Sequence, residues 1–175
     1  MQKDIQVRRA IEEDRQAILS IMEQWNMHHI PSEEMPELDI SCFFVATIDE
    51  VIVGAAGYKI INEIQGKTTL LGVDRDHNGL GIGGKLQERR MREMYNLGAN
   101  FVTTNADRLT TIRWYMKHFG YYKMGWIKKV HSFGHENIDV WTTLETDLDE
   151  YYDGQTRIHP ETSTAPFSAI PSASD

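Results

Sequence analysis

The sequence has little cysteine, little proline and no long apolar run. Of its 175 residues, one is cysteine, Cys42, and five are proline. A lone cysteine excludes an internal disulfide and a cysteine-based metal cluster, and it favours the reducing cytoplasm, where we expect the protein to act. The longest apolar runs, CFFVATI and VIVGAAGY, have the length of a strand, so we expect no membrane span. The start, MQKDIQVRRA, lacks the apolar stretch of a signal peptide.

Acidic residues outnumber basic ones. The chain has 26 Asp and Glu against 18 Lys and Arg, which gives a formal net charge of −8. This balance argues against general nucleic-acid binding and slightly favours cationic small molecules or basic peptide segments as partners. The length suits one domain with a hydrophobic core. The sequence does not define the oligomeric state, and a homodimer is compatible with it.

Apolar spacing predicts an alternation of strands and helices. Strand patterns occupy 5–10, 42–48, 51–60, 68–73, 100–105, 121–130 and 137–146, and helix patterns occupy 12–26 and 84–97. A third helix is predicted to start with Asp107 as its N-cap and to end at Gly120. The dipeptide Asp49-Glu50 predicts a tight hairpin turn. This order predicts an α/β fold with a mixed, mostly antiparallel central sheet.

Two segments lack these periodic patterns. Residues 26–40 contain two prolines and are predicted to form a loop. After residue 149 the composition becomes rich in Ser, Thr, Ala and Pro, with little to bury. We therefore predict a domain over 1–149 and a disordered tail over 150–175.

The stretch DRDHNGLGIGGKLQER, residues 74–89, contains four glycines between Gly79 and Gly84 and then a cationic helix pattern. Glycines before a helix favour phosphate binding, because bare backbone amides approach the anion at the positive end of the helix. A Walker loop would need a hydroxyl for Mg²⁺ at position 86, which is Leu86. A dinucleotide-binding loop would need a carboxylate at the end of the next strand, which instead ends Thr103-Thr104-Asn105.

Two interpretations of this loop therefore remain. In the first, successive amides hold a pyrophosphate without metal, and nearby cations reach an additional phosphate. The candidate cations are Lys85, Arg89, Arg90 and Arg92. In the second, the loop is a glycine-rich turn before a solvated basic helix.

The segment VDRDHNGLGIGGKL, residues 73–86, resembles the acetyl-CoA signature of the GNAT superfamily of N-acetyltransferases. Asn78, Gly81 and Gly83 stand at the three defining places, and Asn78 departs from the usual Arg or Gln. The segment NADRLTTIRWYMKHFGYYKMG, residues 105–125, is similar to the next segment of the family. The order of elements from 5 to about 146 also agrees with the family.

The resemblance implies a GNAT-like fold with helices flanking the sheet, and acetyl-CoA as the acetyl donor, with no metal. It places the pantetheine arm of the donor along Leu71, Gly72 and Val73. It also implies that Asn105 reaches this arm. The pyrophosphate would lie after Asn78 on the amides of Gly79, Leu80, Gly81, Ile82, Gly83 and Gly84.

The catalytic groups are less clearly indicated. The family often uses a tyrosine on this helix as the acid that protonates the leaving thiolate, and Tyr115 is the candidate here. Strict family spacing falls on Met116 instead. The alternative is that Tyr115 only packs in the core. Deprotonating an alkyl amine costs roughly 4–5 kcal/mol at neutral pH, so a base or a water chain is expected. Glu63 and His28 are candidates for that base, with solvated surface roles as the alternative. Attack assisted by water or backbone carbonyls is the default mechanism.

We therefore expect acetyl transfer from acetyl-CoA to a primary amine of a small-molecule acceptor. Two alternatives stay open at this point. The acceptor can be a protein or peptide amine, or the chain can bind acyl-CoA without turnover. The identity of the acceptor and the acyl chain length cannot be read from the sequence.

Overall fold

The computed structural model describes residues 3–27, 37–153, 155 and 157 and contains a seven-stranded sheet in the order β1-β2-β3-β4-β5-β7-β6. The strands are β1 (Gln6–Arg9), β2 (Phe43–Ile48), β3 (Val51–Ile60), β4 (Gln65–Val73), β5 (Phe101–Ala106), β6 (Tyr122–Lys128) and β7 (Val140–Asp147). The helices are α1 (Arg15–Glu23), α2 (Ile82–Asn96), α3 (Leu109–Phe119) and α4 (Leu148–Tyr151). The predicted order of elements is confirmed, and α4 is added to it.

The sheet is mixed and mostly antiparallel, as predicted. β1 to β4 form an antiparallel series, and β5, β7 and β6 form another. The two series meet at the parallel pair of β4 and β5, which are joined only from Gln65 with Phe101 to Lys67 with Thr103. Beyond these residues β4 and β5 diverge, and this divergence creates the cleft described below.

Helices cover both faces of the sheet. A Cβ added at Gly72 would lie 2.9 Å from Met22 of α1, whereas one added at Gly54 would lie 2.9 Å from Ile82 of α2. The hydroxyl of Tyr115 on α3 accepts a hydrogen bond from Arg90 of α2, so α2 and α3 share a face. The core consequently has two clusters, one under α2 and α3 and one under α1.

The turn between β2 and β3 has the geometry that the sequence predicts. Asp49 and Glu50 both adopt positive φ, at 49° and 65°. Two consecutive left-handed residues are the mark of a type I′ hairpin, whose twist matches that of the flanking strands. The helix end predicted at Gly120 is confirmed as well, because Gly120 caps α3 with φ 68°.

Several predicted boundaries need correction, including the end of α1, which is Glu23 rather than 26, and the start of β7, which is Val140 rather than 137. β4 begins at Gln65 rather than 68, since its first residues pair with β5. α2 begins at Ile82 rather than 84, because Gly81 is its left-handed N-cap. The N-cap of α3 is Arg108, without a side-chain cap, and not Asp107.

Residues just beyond the predicted domain end at 149 also pack on the domain. Tyr152 is buried and its ring lies 4.6 Å from that of Tyr95. The hydroxyl of Tyr95 also donates to the carbonyl of Gln155, and Arg157 donates to the carbonyl of Ala99. Part of the predicted tail therefore packs on the domain, whereas 158–175 lie outside the described residues. Within the described part of the chain, no helix is long and apolar enough to cross a membrane.

Candidate active site

A cleft beside the end of β4, where this strand has diverged from β5, has a volume of about 380 Å³. Its lining comes from the end of α1, the end of β4, the start of α2 and one side of α3. The lining residues are Trp25, Leu71, Gly72, Val73, Gly83, Thr110, Thr111 and Trp114. The hydroxyl groups of Thr68 and Thr104 are hydrogen-bonded to each other near the point where β4 and β5 separate. The cleft is thus an elongated groove beside an unpaired strand edge.

The end of β4 offers free backbone groups to this cleft. The amide of Asp74 donates to Val53 of β3, whereas the carbonyl of Val73 points the other way and accepts from the indole of Trp25 at 2.8 Å. Since backbone groups alternate in direction along a strand, the amides of Leu71 and Val73 also face the cleft. Gly72 pairs with Ala55 of β3. An extended amide-containing chain can therefore bind here as an added strand would.

The glycine-rich loop leads directly into α2. Gly79 and Gly81 both have φ 79°, a conformation that favours glycine, and a Cβ added at Gly79, Gly81 or Gly84 would meet nothing within 4 Å. Among the described residues, the amides of 79–84 have no acceptor. These amides lie at the positive end of a 15-residue helix. The loop therefore fits a pyrophosphate, with open space above it and unbonded donors.

A network of side chains fastens the start of the loop to the end of α1. Gln24 donates to the carboxylate of Asp74 at 2.9 Å, and the Asp74 carboxylate also contacts the ring of His77 at 3.0 Å. These two partners hold the pKa of Asp74 below its ordinary value. The guanidinium of Arg75 donates to the carbonyl of Gln24 and stacks 4.3 Å from the centre of the Trp25 ring. The loop and the Trp25 wall of the cleft are thereby held together.

One predicted cation is not available to a ligand. Arg90 is fully buried, so the expectation that it reaches an additional phosphate is wrong. Lys85 is exposed beside the loop, Arg89 stacks on Phe44, and Arg92 stacks on Tyr152. Lys85 is therefore the predicted cation with the most direct access to a bound phosphate.

The remaining predicted site residues are dispersed. Asn105 lies on β5 with its Oδ1 accepting from Thr143 at 2.8 Å, and no acceptor for its Nδ2 occurs among the described residues. Asn78 is exposed at the start of the loop. Glu63 lies in the turn before β4, and the length of this strand places the turn about 20–25 Å from Leu71 and Val73, where the thioester would lie. It is too distant to act as the base, so this prediction is corrected.

Tyr115 also differs from its expected role. Only 4% of it is exposed, and its hydroxyl accepts from Arg90 at 2.9 Å within the core. Its neighbour Trp114 lines the cleft instead, because adjacent residues on a helix point about 100° apart. Tyr115 is therefore a core residue in this structure, and we do not assign it as the general acid. His28 lies outside the described residues.

Four lining residues were missed by sequence reasoning: Trp25, Thr110, Thr111 and Trp114. Apolar spacing places the two tryptophans with core residues, because it does not distinguish a core face of a helix from a ligand-facing one. The two threonines occupy the first turn of α3, directly opposite the end of β4. Only their position in the folded chain identifies them.

A second set of contacts joins the end of α1, next to Trp25, to the β6–β7 loop. The side-chain amide of Asn26 donates to the carbonyl of Gly134, and the Gly134 amide donates back to the Asn26 carbonyl, each at 3.0 Å. Asp107 braces the same β6–β7 loop, because its carboxylate accepts from Lys129 at 2.9 Å and from the His135 amide at 2.8 Å. Burial alone would raise the pKa of Asp107, but these donors outweigh it and lower the pKa.

The acetyltransferase (GNAT) family profile matches residues 7–121. The chain therefore belongs to this family of acetyl-CoA-dependent acetyltransferases, and it is an acyltransferase. The resemblance seen in the loop and in the order of elements is confirmed. A comparison with curated protein sequences finds no match.

Solved structures of low sequence identity share the fold. The ribosomal-protein-S18-alanine N-acetyltransferase of Escherichia coli is 15% identical, with a TM-score of 0.66, over 83% of this chain and 94% of that one. A GNAT family acetyltransferase of Elizabethkingia anophelis with acetyl-CoA bound is 13% identical, with a TM-score of 0.63, over 82% and 97%. N-acetylglutamate synthase of Neisseria gonorrhoeae, complexed with coenzyme A and N-acetyl-glutamate, is 18% identical, with a TM-score of 0.63. There the match covers 85% of this chain but only 36% of the synthase.

Proposed function

We propose that this protein transfers an acetyl group from acetyl-CoA to a primary amine of a small-molecule acceptor. The supporting observation is the pair of hydrogen bonds between Asn26 and Gly134, which joins the end of α1 to the β6–β7 loop. This bridge stands next to Trp25, which lines the cleft. A polypeptide acceptor needs an open groove between these elements, whereas a compact amine needs only a short passage. The acidic balance of the chain favours a cationic acceptor.

The donor would bind along one continuous surface. Its pyrophosphate would accept from the amides of 79–84, and its pantetheine arm would pair with the exposed backbone of Leu71 and Val73. The free Nδ2 of Asn105 would donate to the same arm from the opposite strand. Three features support this placement: the unbonded amides of the loop, the unpaired edge of β4 and the open space above the glycines.

The chemistry would be direct attack by the neutral amine on the thioester carbonyl. The C–N bond forms first and gives a tetrahedral oxyanion; its collapse breaks the C–S bond and releases coenzyme A as the thiolate, while the proton lost from the attacking nitrogen passes to water. The amide of Leu71, which also faces the cleft and lies farther from the pyrophosphate loop than Val73, would stabilise the oxyanion. No carboxylate or histidine lines the described part of the cleft, so ordered water is the proposed proton acceptor. His28, outside the described residues, remains a candidate base.

The main alternative is a protein or peptide acceptor, and the E. coli neighbour of similar fold carries the name of a ribosomal-protein acetyltransferase. A chain that binds acyl-CoA without turnover is a second alternative, supported by the absence of a side-chain base among the described lining residues. For the cellular site we propose the cytoplasm, on the basis of the single cysteine.

A thiol-release assay with acetyl-CoA separates these functions. The acceptor panel should contain amino sugars, amino acid derivatives and polyamines, together with peptides bearing a free N-terminus or a lysine. We expect turnover with a small amine and little with peptides. Preference for peptides would contradict the proposed acceptor class, and tight acetyl-CoA binding without any turnover would favour the binding module.

The variant Asn26→Gly tests the structural reason for this preference. Glycine tolerates the positive φ of 56° at this position but removes the side-chain donor to Gly134. We expect a higher KM for the small acceptor and an unchanged KM for acetyl-CoA. Equal kinetics in wild type and variant would show that the bridge does not shape the acceptor side.

A further inference from the structure

β6 forms one edge of the sheet, and every residue of this strand is exposed. Trp126 is 70% exposed, Met124 55% and Ile127 48%, and Val130, two residues beyond the strand, is 81% exposed. The opposite edge, β1, has four residues and includes two arginines. Short charged edges resist pairing with other chains, whereas a long apolar edge favours it. β6 is therefore an unusual surface for an isolated chain.

The backbone of β6 is regular next to these apolar side chains. Pairing with β7 is irregular between Lys123 and Gly125, then continuous from Gly125 to Lys128. The amide of Lys129 donates to the carbonyl of Asp139, towards β7. Because backbone groups alternate in direction along a strand, those of Trp126 and Lys128 point away from the sheet. The regular edge thus runs from 125 to 129, with Ile127 at its centre.

We propose that two copies of this chain pair β6 with β6 in antiparallel fashion, about a two-fold axis at Ile127. In this register Ile127 lies opposite Ile127 of the second copy. Trp126 lies opposite Lys128, and Val130 lies opposite Met124. Trp126 and Lys128 form the hydrogen-bonded pairs, because their backbone groups are the ones that point outward. The two sheets then become one continuous sheet.

Charge and area support a second copy as the partner. Each lysine of the regular edge faces a non-basic residue in this register, with Lys128 opposite Trp126 and Lys129 opposite Gly125, so like charges do not meet. A lysine beside a tryptophan is also an attractive pair. Area favours a partner as well, because Trp126 is 70% exposed and a residue of this type buries about 150–250 Å² when it is covered.

Sedimentation velocity of the full chain at micromolar concentrations tests the pairing. We expect the wild type to sediment at twice the mass of one chain. Trp126→Lys places a lysine against Lys128 twice across the axis and should yield a monomer. The matched variant Trp126→Glu places a carboxylate against Lys128 and should remain a dimer. Far-UV circular dichroism establishes that both variants are folded.

Cross-linking tests the register independently. In a non-hydrogen-bonded antiparallel pair the Cα atoms lie about 4.5 Å apart, within the range of a disulfide. Ile127→Cys in a Cys42→Ala background should therefore form a disulfide between copies, with oxidised glutathione accepting the two electrons and the two protons. Val51→Cys in the same background is the control, because Val51 is 63% exposed in a hairpin away from β6.

Three results would each overturn the proposal. The first is a monomeric wild type. This is also the result expected if the β6 edge binds a different polypeptide rather than a second copy. The second is a dimer that persists in folded Trp126→Lys. The third is cross-linking at residue 127 that is no faster than at residue 51, and this result decides the matter if Trp126→Lys does not fold.

Discussion

Replacing Arg90 by methionine should destabilise the protein substantially, although Arg90 forms no salt bridge within the described part of the chain. The guanidinium is fully buried and donates to four neutral acceptors. These acceptors are Gln87 Oε1 at 2.6 Å, Tyr115 Oη at 2.9 Å, Gly57 O at 3.0 Å and Leu70 O at 3.3 Å. Because this buried cation has only neutral partners, its removal could either raise or lower the free energy of unfolding.

The carbonyls of Gly57 and Leu70 decide that the free energy of unfolding should fall. The register of β3 with β4 shifts between Ala56 and Tyr58, so these two carbonyls lie at an irregularity in the ladder. Without Arg90 they would be buried and unsatisfied, at about 1–3 kcal/mol each. Methionine would recover about 1–2 kcal/mol by burying apolar surface in place of a charge. The net expected loss is about 2–3 kcal/mol in the free energy of unfolding.

Urea and thermal unfolding measure this loss directly. At 2–4 °C per kcal/mol for a chain of this size, the Tm should fall by about 8 °C. Arg89→Met is the matched control, because Arg89 is 40% exposed and its contact with Glu93 is long, at 3.7 Å. We expect less than about 1 kcal/mol there. A stability for Arg90→Met at or above that of Arg89→Met would refute the reasoning, since the charge would then cost more than its bonds contribute.

Three further changes have defined outcomes. Gly81→Val should abolish CoA binding in calorimetry, because a β-branched residue is strained at φ 79° and blocks close approach; unchanged affinity would contradict the loop assignment. Asp107→Asn should lower the free energy of unfolding at neutral pH. Because the pKa of Asp107 is lowered in the folded protein, its ionised carboxylate stabilises the fold above the unfolded pKa of about 3.9. This contribution is lost as the pH falls through the lower folded pKa, and the variant should not show that loss. Equal acid unfolding curves would exclude this contribution. Glu50→Gly should stabilise by about 0.5–1 kcal/mol, because glycine suits φ 65°, and a lower Tm would contradict this.

Features that depend on local sequence were predictable. The order of strands and helices follows from apolar spacing, and the turn at Asp49-Glu50 and the cap at Gly120 follow from backbone preferences of single residues. The glycine-rich loop was recognisable for the same reason. Free amides at the start of a helix are a local property of 79–84. The fold class and the donor therefore came from short segments.

Features that depend on distant contacts were not predictable. Arg90 and Arg89 are adjacent in the sequence, yet one is fully buried and the other stacks on Phe44. The choice between Trp114 and Tyr115 as the cleft residue depends on the rotation of α3 against β5. Asp107 binds a lysine 22 positions away rather than capping its own helix. In each case the surroundings of the side chain depend on tertiary packing, which the local sequence pattern does not reveal.

The same packing would make one helix responsible for both halves of the proposed donor site. In our proposal the amides at the start of α2 would bind the pyrophosphate. About 12 Å along the helix, Arg90 donates to the irregular part of β4 that precedes Leu71 and Val73. Arg90→Met should therefore raise the KM for acetyl-CoA, even though Arg90 does not line the cleft. Tyr115→Phe, which removes one acceptor of Arg90 but neither strand carbonyl contact, should change kcat and this KM less than about twofold. A large loss of kcat in Tyr115→Phe would instead restore Tyr115 as the acid, whereas an unchanged KM in folded Arg90→Met would show that the end of β4 keeps its position without this contact.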